Sequence, residues 1–599
     1  MEGTMDRIFE YPFDTAEIMR KQKRLKRELL EDGTSRIKKR IAILGGSTVD
    51  AVRDVLELFL LNYGFEPEFW TSEYGQYRND AMFPPEELTQ FKPDVIYIHT
   101  TYRNIEIFPD VNDKNNGDAQ KKLDAVYEQF RDMWESLKDK FGCQVIQNNF
   151  ELPPFRLLGN SDCSDVRGRV RFVNELNLRF ADYAERHKGF YISDINYVSS
   201  CYGLDRWHDG TQWHMYKYAF PMDAVPYIAA NIAAIIKALF GKNKKVLALD
   251  LDNTLWGGVV GDDGPEGIKI GKDLPSGQVY SEFQEYVKMH KDIGVLLTVC
   301  SKNDEENAYA GLNHPDSTLT TDDFVMIKAN WDNKDENILR TADALNLTAD
   351  SFVFADDNPA ERQIVRDRIQ GIGVPEMDGA ENYIRVLDRN RYFEVTSLSD
   401  EDMHRSEMYK VEAQRAEIRT AAADYGEYLD RLEMKAVIRS FEPMYIARIA
   451  QLTNKSNQFN LTTRRYTEGD IANMSRDPSC ITLYGRLADR FGDNGIVSVV
   501  IGKIKDSELH IDLWLMSCRV LKRDMELAML DTLVKKAAEK GLTSIYGYYY
   551  PTAKNSMVKE LYGRFGFEKQ SEDEAGNTVW KLAVEGYEDK NTHISVSEN

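Results

Sequence analysis

Two acids two residues apart, Asp250 and Asp252, stand directly after the apolar run Val246-Leu247-Ala248-Leu249. At the end of a strand, where the backbone begins to turn, both carboxylates can address one pocket. Asp250 can then serve as an oxygen nucleophile and Asp252 as proton donor and acceptor. A second acidic pair, Asp356-Asp357, ends another apolar run, Phe352-Val353-Phe354-Ala355. Carboxylates converging from two strand ends repel one another unless a cation neutralises them, and such hard oxygen donors suit Mg²⁺. Ser301 and Lys302 follow the run Val295–Cys300, and Lys334 lies in Trp331-Asp332-Asn333-Lys334. A hydroxyl and an ammonium can hold phosphate charge that the metal leaves uncancelled. One acidic pair alone reads as a turn or helix cap. Four such groups in this order, each after a strand, point to phosphoryl transfer.

The elements that must carry these groups are legible as hydrophobic runs. Strands are expected at 246–250, 295–300, 323–327 and 351–355, with helical patterns between them, which describes a doubly wound parallel sheet. Ligands bind such sheets at the carboxyl ends of the strands. Upstream, 40–44 runs into Gly45-Gly46-Ser47, a helical pattern follows, and further strands are expected at 94–99 and 144–146. Downstream, the strands 496–504 and 508–517 mix with the helix 526–540, an α+β order. The expected division is a helical lead-in over 1–38, an α/β domain over 39–243, the catalytic α/β domain over 244–399, a linker helix over 400–432, an α+β domain over 433–585 and a disordered tail over 586–599.

The motif order Asp-x-Asp-x-Thr, Ser-Lys, Lys, Asp-Asp resembles that of the haloacid dehalogenase (HAD) superfamily. The longer strings Val246–Gly261, Cys300–Asp304, Phe354–Arg362 and Asn457–Tyr466 closely resemble FkbH-like proteins, HAD subfamily IIIC. The resemblance implies a HAD-like sheet without a large cap, since the chain between Asp250 and the strand at Val295 is short. It implies Asp250 as nucleophile, Asp252 as acid/base, Ser301 and Lys334 as phosphate-binding groups, and Mg²⁺ as cofactor. The expected metal-binding acids are Asp250, Asp252, Asp356 and Asp357, with Asp357 favoured for the direct bond. It further implies a phosphorylated small-molecule substrate, either an acyl phosphate or a three-carbon glyceryl-type unit, loaded on an acyl carrier protein. A plain phosphatase acting on a small sugar or acid, and a carrier-binding scaffold with a vestigial site, are the alternatives. A thiol for such transfer has one candidate beside a motif, Cys300. Strand alternation turns it away from the pocket if Ser301 faces in.

The first domain resembles SGNH-type hydrolases through Gly45-Gly46-Ser47. A nucleophilic Ser47 needs a histidine and a carboxylate, for which Asp205/His208 and Asp209/His214 are candidates, with Asn104 as oxyanion donor. The other reading is a tight turn on a retained docking fold. The last domain resembles the GNAT acyltransferase fold. There Lys522 and Asp524 replace the glycines expected in the loop that cradles the CoA pyrophosphate, and Asp524 puts a negative charge where that group would sit. Arg464, Arg465, Arg519 and Arg523 are expected either to meet an acidic carrier or to balance local carboxylates. Tyr546–Tyr550 reads as a packing stripe.

Composition bounds the partners. The net charge of −22 argues against nucleic acid. The longest apolar stretch, 227–240, is too short to span a bilayer and carries Asn231 and Lys237. Six cysteines without a Cys-x-x-Cys pair make neither a disulfide framework nor a zinc site. No apolar signal segment opens the sequence, so a soluble cytoplasmic protein is expected.

Overall fold

The computed structural model describes residues 5–113, 116–411, 415, 424–456, 458–517, 520–552 and 555–597. Arg519, Asn457 and much of the expected linker over 400–432 lie outside them. The chain is a multidomain α/β protein with two compact units, Met1–Ala238 and Leu239–Asn599.

In the first unit, β1 (Ile37–Gly45), β2 (Phe65–Thr71), β3 (Val95–His99), β4 (Gln144–Asn148) and β5 (Phe190–Ser193) form a parallel sheet of order β2-β1-β3-β4-β5. The helix Val225–Leu239, the apolar stretch of the sequence, is buried along most of its length, as a core helix is. Trp134 anchors the packing on one face. It is buried against Phe180, Tyr183 and Phe190, and its indole N–H donates to Gln147 Oε1 at 3.1 Å.

The second unit opens with β6 (Val246–Leu249), β7 (Leu296–Ser301), β8 (Met326–Ala329) and β9 (Phe352–Ala355), all parallel, in the order β8-β7-β6-β9. β6, β7 and β9 are buried on both faces, which is why they read as unbroken apolar runs, whereas β8 at the edge is half-buried and carries Lys328. The period of two is strict. Leu247, Leu249, Leu297, Val299, Val353 and Ala355 pack on one face, and Val246, Ala248, Leu296, Cys300, Phe352 and Phe354 on the other.

The rest of the unit is a larger, mostly antiparallel sheet. Its strands are β10 (Lys435–Arg439), β11 (Phe459–Asn460), β12 (Cys480–Asp489), β13 (Gly492–Lys505), β14 (Glu508–Met516), β15 (Ser544–Tyr549), β16 (Glu568–Glu572) and β17 (Thr578–Ala583). The helix Met525–Glu539 packs on it through Met525, Met529, Leu530 and Leu533. Residues 586–597, expected to be disordered, are instead built into this fold. β18 (Ser595–Ser597) pairs in parallel with β10, Ile594 is buried, and Asp531 accepts hydrogen bonds from the Tyr587 hydroxyl and the Lys590 and Asn591 amides. The polar tail is held by its backbone and one apolar anchor, which a composition argument does not weigh.

Replacing Trp134 by Phe leaves Gln147 Oε1 without its donor in a buried place and should cost about 1–3 kcal/mol. Trp134→Ala should cost about 3–5 kcal/mol. Urea unfolding followed by circular dichroism measures both.

Candidate active site

Register explains why the acids meet. Leu249 of β6 pairs with Ala355 of β9, so the next residues, Asp250 and Asp356, leave the sheet side by side, and the Asp250 amide donates to the Ala355 carbonyl at 3.0 Å. Carboxylate oxygens of Asp250, Asp356 and Asp357 all lie within 4.8 Å of one another. Lys334, the first residue of the helix Lys334–Ala344, is buried between two of them. Its Nζ lies 3.0 Å from Asp250 Oδ1 and 2.5 Å from Asp356 Oδ2. Burial works against the Lys334 charge, but Asp250 and Asp356 override it and hold the ammonium above its ordinary range. Burial first, and then Asp250, push Asp356 up to about 7 and raise Asp357 as well. Three crowded acids with one ammonium carry excess negative charge, and their all-oxygen donor set fits Mg²⁺.

Asp252 is placed differently from the metal role expected for it. Its carboxylate stands outside the three-acid cluster and is held by three donors. Trp256 Nε1 and the Val260 amide reach Oδ1 at 2.8 and 3.0 Å, and Asn303 Nδ2 reaches Oδ2 at 3.0 Å. Burial is the main cause that raises its pKa, and Asp250 adds to the rise. A carboxyl fixed in orientation and biased toward its acid form suits proton donation.

Ser301 is buried at the end of β7, within the same ring of strand ends. Lys302 is not free for phosphate, because its Nζ pairs with Glu361 at 2.6 Å. Cys300 lies in the core layer with Phe354 and Ile338, its Sγ 3.4 Å from the Lys334 carbonyl, and burial pushes its thiol well above the ordinary range.

Three groups with no role assigned from sequence shape the site. Arg362 is buried and donates to the Asp356 and Asp357 carbonyls at 2.9 and 2.7 Å, while Glu376 and Asp378 hold its other nitrogen at 3.1 and 2.8 Å. Thr254 Oγ1 accepts from the Asp357 amide at 3.2 Å, tying the two acidic loops together. Asn303 fixes Asp252. Arg362 and Asn303 stand inside the motif strings, but only the fold shows what they hold.

The flanking candidates are not assembled into catalytic sites among the described residues. Ser47 Oγ is buried and has no hydrogen-bond partner, His214 is exposed, and His208 Nε2 lies 2.9 Å from the Leu152 carbonyl. Asn104 instead clamps its loop, donating to the Gly46 carbonyl and accepting from the Thr101 amide. Of the arginines, Arg464 pairs with Asp512, and Arg523 reaches Asp489 at 3.2 Å. Arg465 is half-buried and donates to the Thr453 and Ser456 carbonyls at the end of the helix Ile446–Lys455. The local-balance reading therefore describes Arg464 and Arg523. Lys522 and Asp524 both adopt left-handed backbone, φ 62° and 59°, where glycines were expected. Behind them Glu526 is half-buried, with Oε2 buried and unpartnered among the described residues, and burial pushes it up to about 7. Two carboxylates at this helix start do not fit a CoA pyrophosphate.

Residues 40–237 match the family described as FkbH, N-terminal domain. The structure also resembles the N-terminal part of a Bacteroides fragilis protein, solved with Mg and containing a phosphatase domain. Identity is 31%, the match covers 63% of this chain and 99% of that one, and the TM-score is 0.58. The chain belongs to the family of that Bacteroides fragilis protein. About a quarter of the chain is similar to acetyltransferase structures. The ribosomal-protein-S18-alanine N-acetyltransferase of Escherichia coli is 13% identical over 26% of this chain and 99% of that one, with a TM-score of 0.21. Ard1 of Thermoplasma volcanium is 17% identical over 25% and 97%, with a TM-score of 0.20. A search of curated proteins gives no match.

Arg362→Met should leave the Asp356 and Asp357 carbonyls without this donor, while Glu376 keeps Arg366 and Asp378 faces solvent, costing about 1–3 kcal/mol of stability and weakening Mg²⁺ binding about 10–100-fold. Thermal melting and Mg²⁺ titration calorimetry read the two effects. Glu526, with a folded pKa above the ordinary value for glutamate, destabilises the fold as pH rises from about 4.5 through 7. Glu526→Gln should therefore leave stability near pH 4.5 unchanged and raise it by about 1–3 kcal/mol at pH 8. Urea midpoints at the two pH values give the comparison.

Proposed function

We propose that the second unit is a Mg²⁺-dependent phosphatase-type enzyme acting on a phosphorylated small molecule. The observation that carries this reading is the buried Lys334 bridging Asp250 and Asp356, with Asp357 close enough to share a cation. Asp250, Asp356 and Asp357 would hold the metal, which supplies the positive charge that lets a phosphate dianion approach these acids. A carboxylate oxygen of Asp250 attacks phosphorus, forming the Asp–phosphate bond as the bond to the leaving oxygen breaks. Asp252 gives its proton to that oxygen and then takes one from the water that hydrolyses the aspartyl phosphate. Ser301 and Lys334 hold the phosphoryl oxygens through both steps. The Mg-bound Bacteroides fragilis relative supports the metal and the phosphatase class.

The finer reading is an acyl phosphate or phosphorylated three-carbon acid as substrate, with delivery of the acyl unit to an acyl carrier protein. In that reaction the carrier's own thiol is the acceptor, because Cys300 is packed in the core. Cys300, buried and donating its thiol to the Lys334 carbonyl, argues against a route through a thioester on this residue.

Phosphate release from acyl phosphates and phosphate monoesters should require Mg²⁺ and stop on chelation. Asp250→Asn should lower the rate by at least about 10³-fold while circular dichroism stays unchanged. Incubation with 1,3-bisphosphoglycerate and a carrier bearing its phosphopantetheine arm, followed by intact mass spectrometry, separates the finer readings. A glyceryl adduct on the carrier supports transfer, and an unchanged carrier with free phosphate supports hydrolysis alone.

A further inference from the structure

The first unit carries a second, independent feature at the carboxyl edge of its sheet. The order β2-β1-β3-β4-β5 reverses direction between β1 and β3, and open α/β sheets bind ligands in the crevice at such a switch point. Two loops leave the sheet there. One is Gly46-Ser47-Thr48 after β1, and the other is Thr100–Asn104 after β3. They are tied together by Asn104 Nδ2 to the Gly46 carbonyl at 3.0 Å. A third piece closes on them, since the Thr48 amide and hydroxyl donate to the carbonyls of Lys217 and Tyr216, at the end of the helix Gly210–Tyr216.

These three pieces bring two cations to one ring. The Arg103 guanidinium lies 4.5 Å from the centroid of Trp213 and 5.0 Å from that of Tyr102, and Lys217 Nζ lies 5.4 Å from Trp213. Both charges therefore sit within about 10 Å of each other. Among the described residues neither side chain has a carboxylate at ion-pair distance, in a chain of net charge −22. Glu151 senses the Arg103 charge but forms no ion pair with it, and burial pushes its carboxyl up to about 7. Ser47 Oγ, in the first of these loops, is buried with no hydrogen-bond partner. Aromatic rings hold a cation in place without neutralising it, leaving its N–H donors available to an anion.

We infer that the crevice between the loops after β1 and β3 binds the oxyanion group of a small molecule, a phosphate or a carboxylate, through Arg103 and Lys217. The site binds without cleaving, because neither His208 nor His214 is hydrogen-bonded to Ser47. It is separate from the phosphatase reading and stands or falls without it.

The full-length protein, labelled with 5-fluorotryptophan and kept in EDTA, is titrated with inorganic phosphate and separately with acetate. The Trp213 resonance is assigned from Trp213→Phe, and ¹⁹F NMR reads binding at this ring alone. The inference expects a saturable shift of that resonance. Arg103→Gln should weaken binding about tenfold and Lys217→Gln about three- to fivefold, both keeping wild-type Mg²⁺-dependent phosphate release. Tighter phosphate binding assigns a phosphorylated ligand, and equal or tighter acetate binding a carboxylate; either supports the site. No shift with either anion, or unchanged affinity in both variants, overturns it. Ser47-dependent release of nitrophenol from p-nitrophenyl acetate overturns the binding-only assignment.

Discussion

The second unit is organised around one electrostatic conflict. Parallel pairing of β6 with β9 places Asp250 beside Asp356, and sequence continuity adds Asp357. Like charges this close in a buried place are costly, and the fold answers with a single ammonium, Lys334, at the start of a helix. That answer is incomplete by design, since one positive charge faces three carboxylates. The remaining negative charge is what the proposed divalent cation would neutralise. Removing the conflict by neutral residues would favour folding and, on the proposed reading, abolish the chemistry. The supporting contacts make sense in the same terms. Arg362 draws the two carbonyls of the Asp356-Asp357 turn together, Thr254 ties this turn to the loop after β6, and Asn303 with Trp256 orients Asp252.

What could be read from sequence followed burial. β6, β7 and β9 are covered on both faces, so each is an unbroken apolar run, and the chemistry-bearing residues follow these runs directly. The opposite facing of Cys300 and its neighbours followed from the period of two alone. Half-buried strands were harder. β2, with charged residues on alternate positions, and β5, only four residues long, carry no comparable signal. β12 hides in the same way, with Gly485 and Arg486 breaking its apolar pattern at a bulge. Long-range partners were out of reach altogether. Nothing in the spacing of Asn303 and Asp252, or of Arg464 and Asp512, announces that they touch.

The C-terminal sheet shows a strained turn held in place by the packing behind it. Lys522 and Asp524 keep a left-handed conformation that costs a non-glycine residue about 1–2 kcal/mol. A sequence free to relax would restore glycine or abandon the turn, so the packed helix behind it must hold the turn in place. That helix is buried through Met525, Ala528, Met529 and Leu530. Its first turn, where a helix offers bare N–H groups to an anion, carries Glu526, with its Oε2 buried, and Asp524 half-buried beside it. Arg564 and His593 face Asp524, and Arg564 also faces Glu526. The turn is therefore a structural corner, held by the packing of the helix behind it. In the second unit the clustered acids lie instead at the ends of β6 and β9, with Lys334 between Asp250 and Asp356.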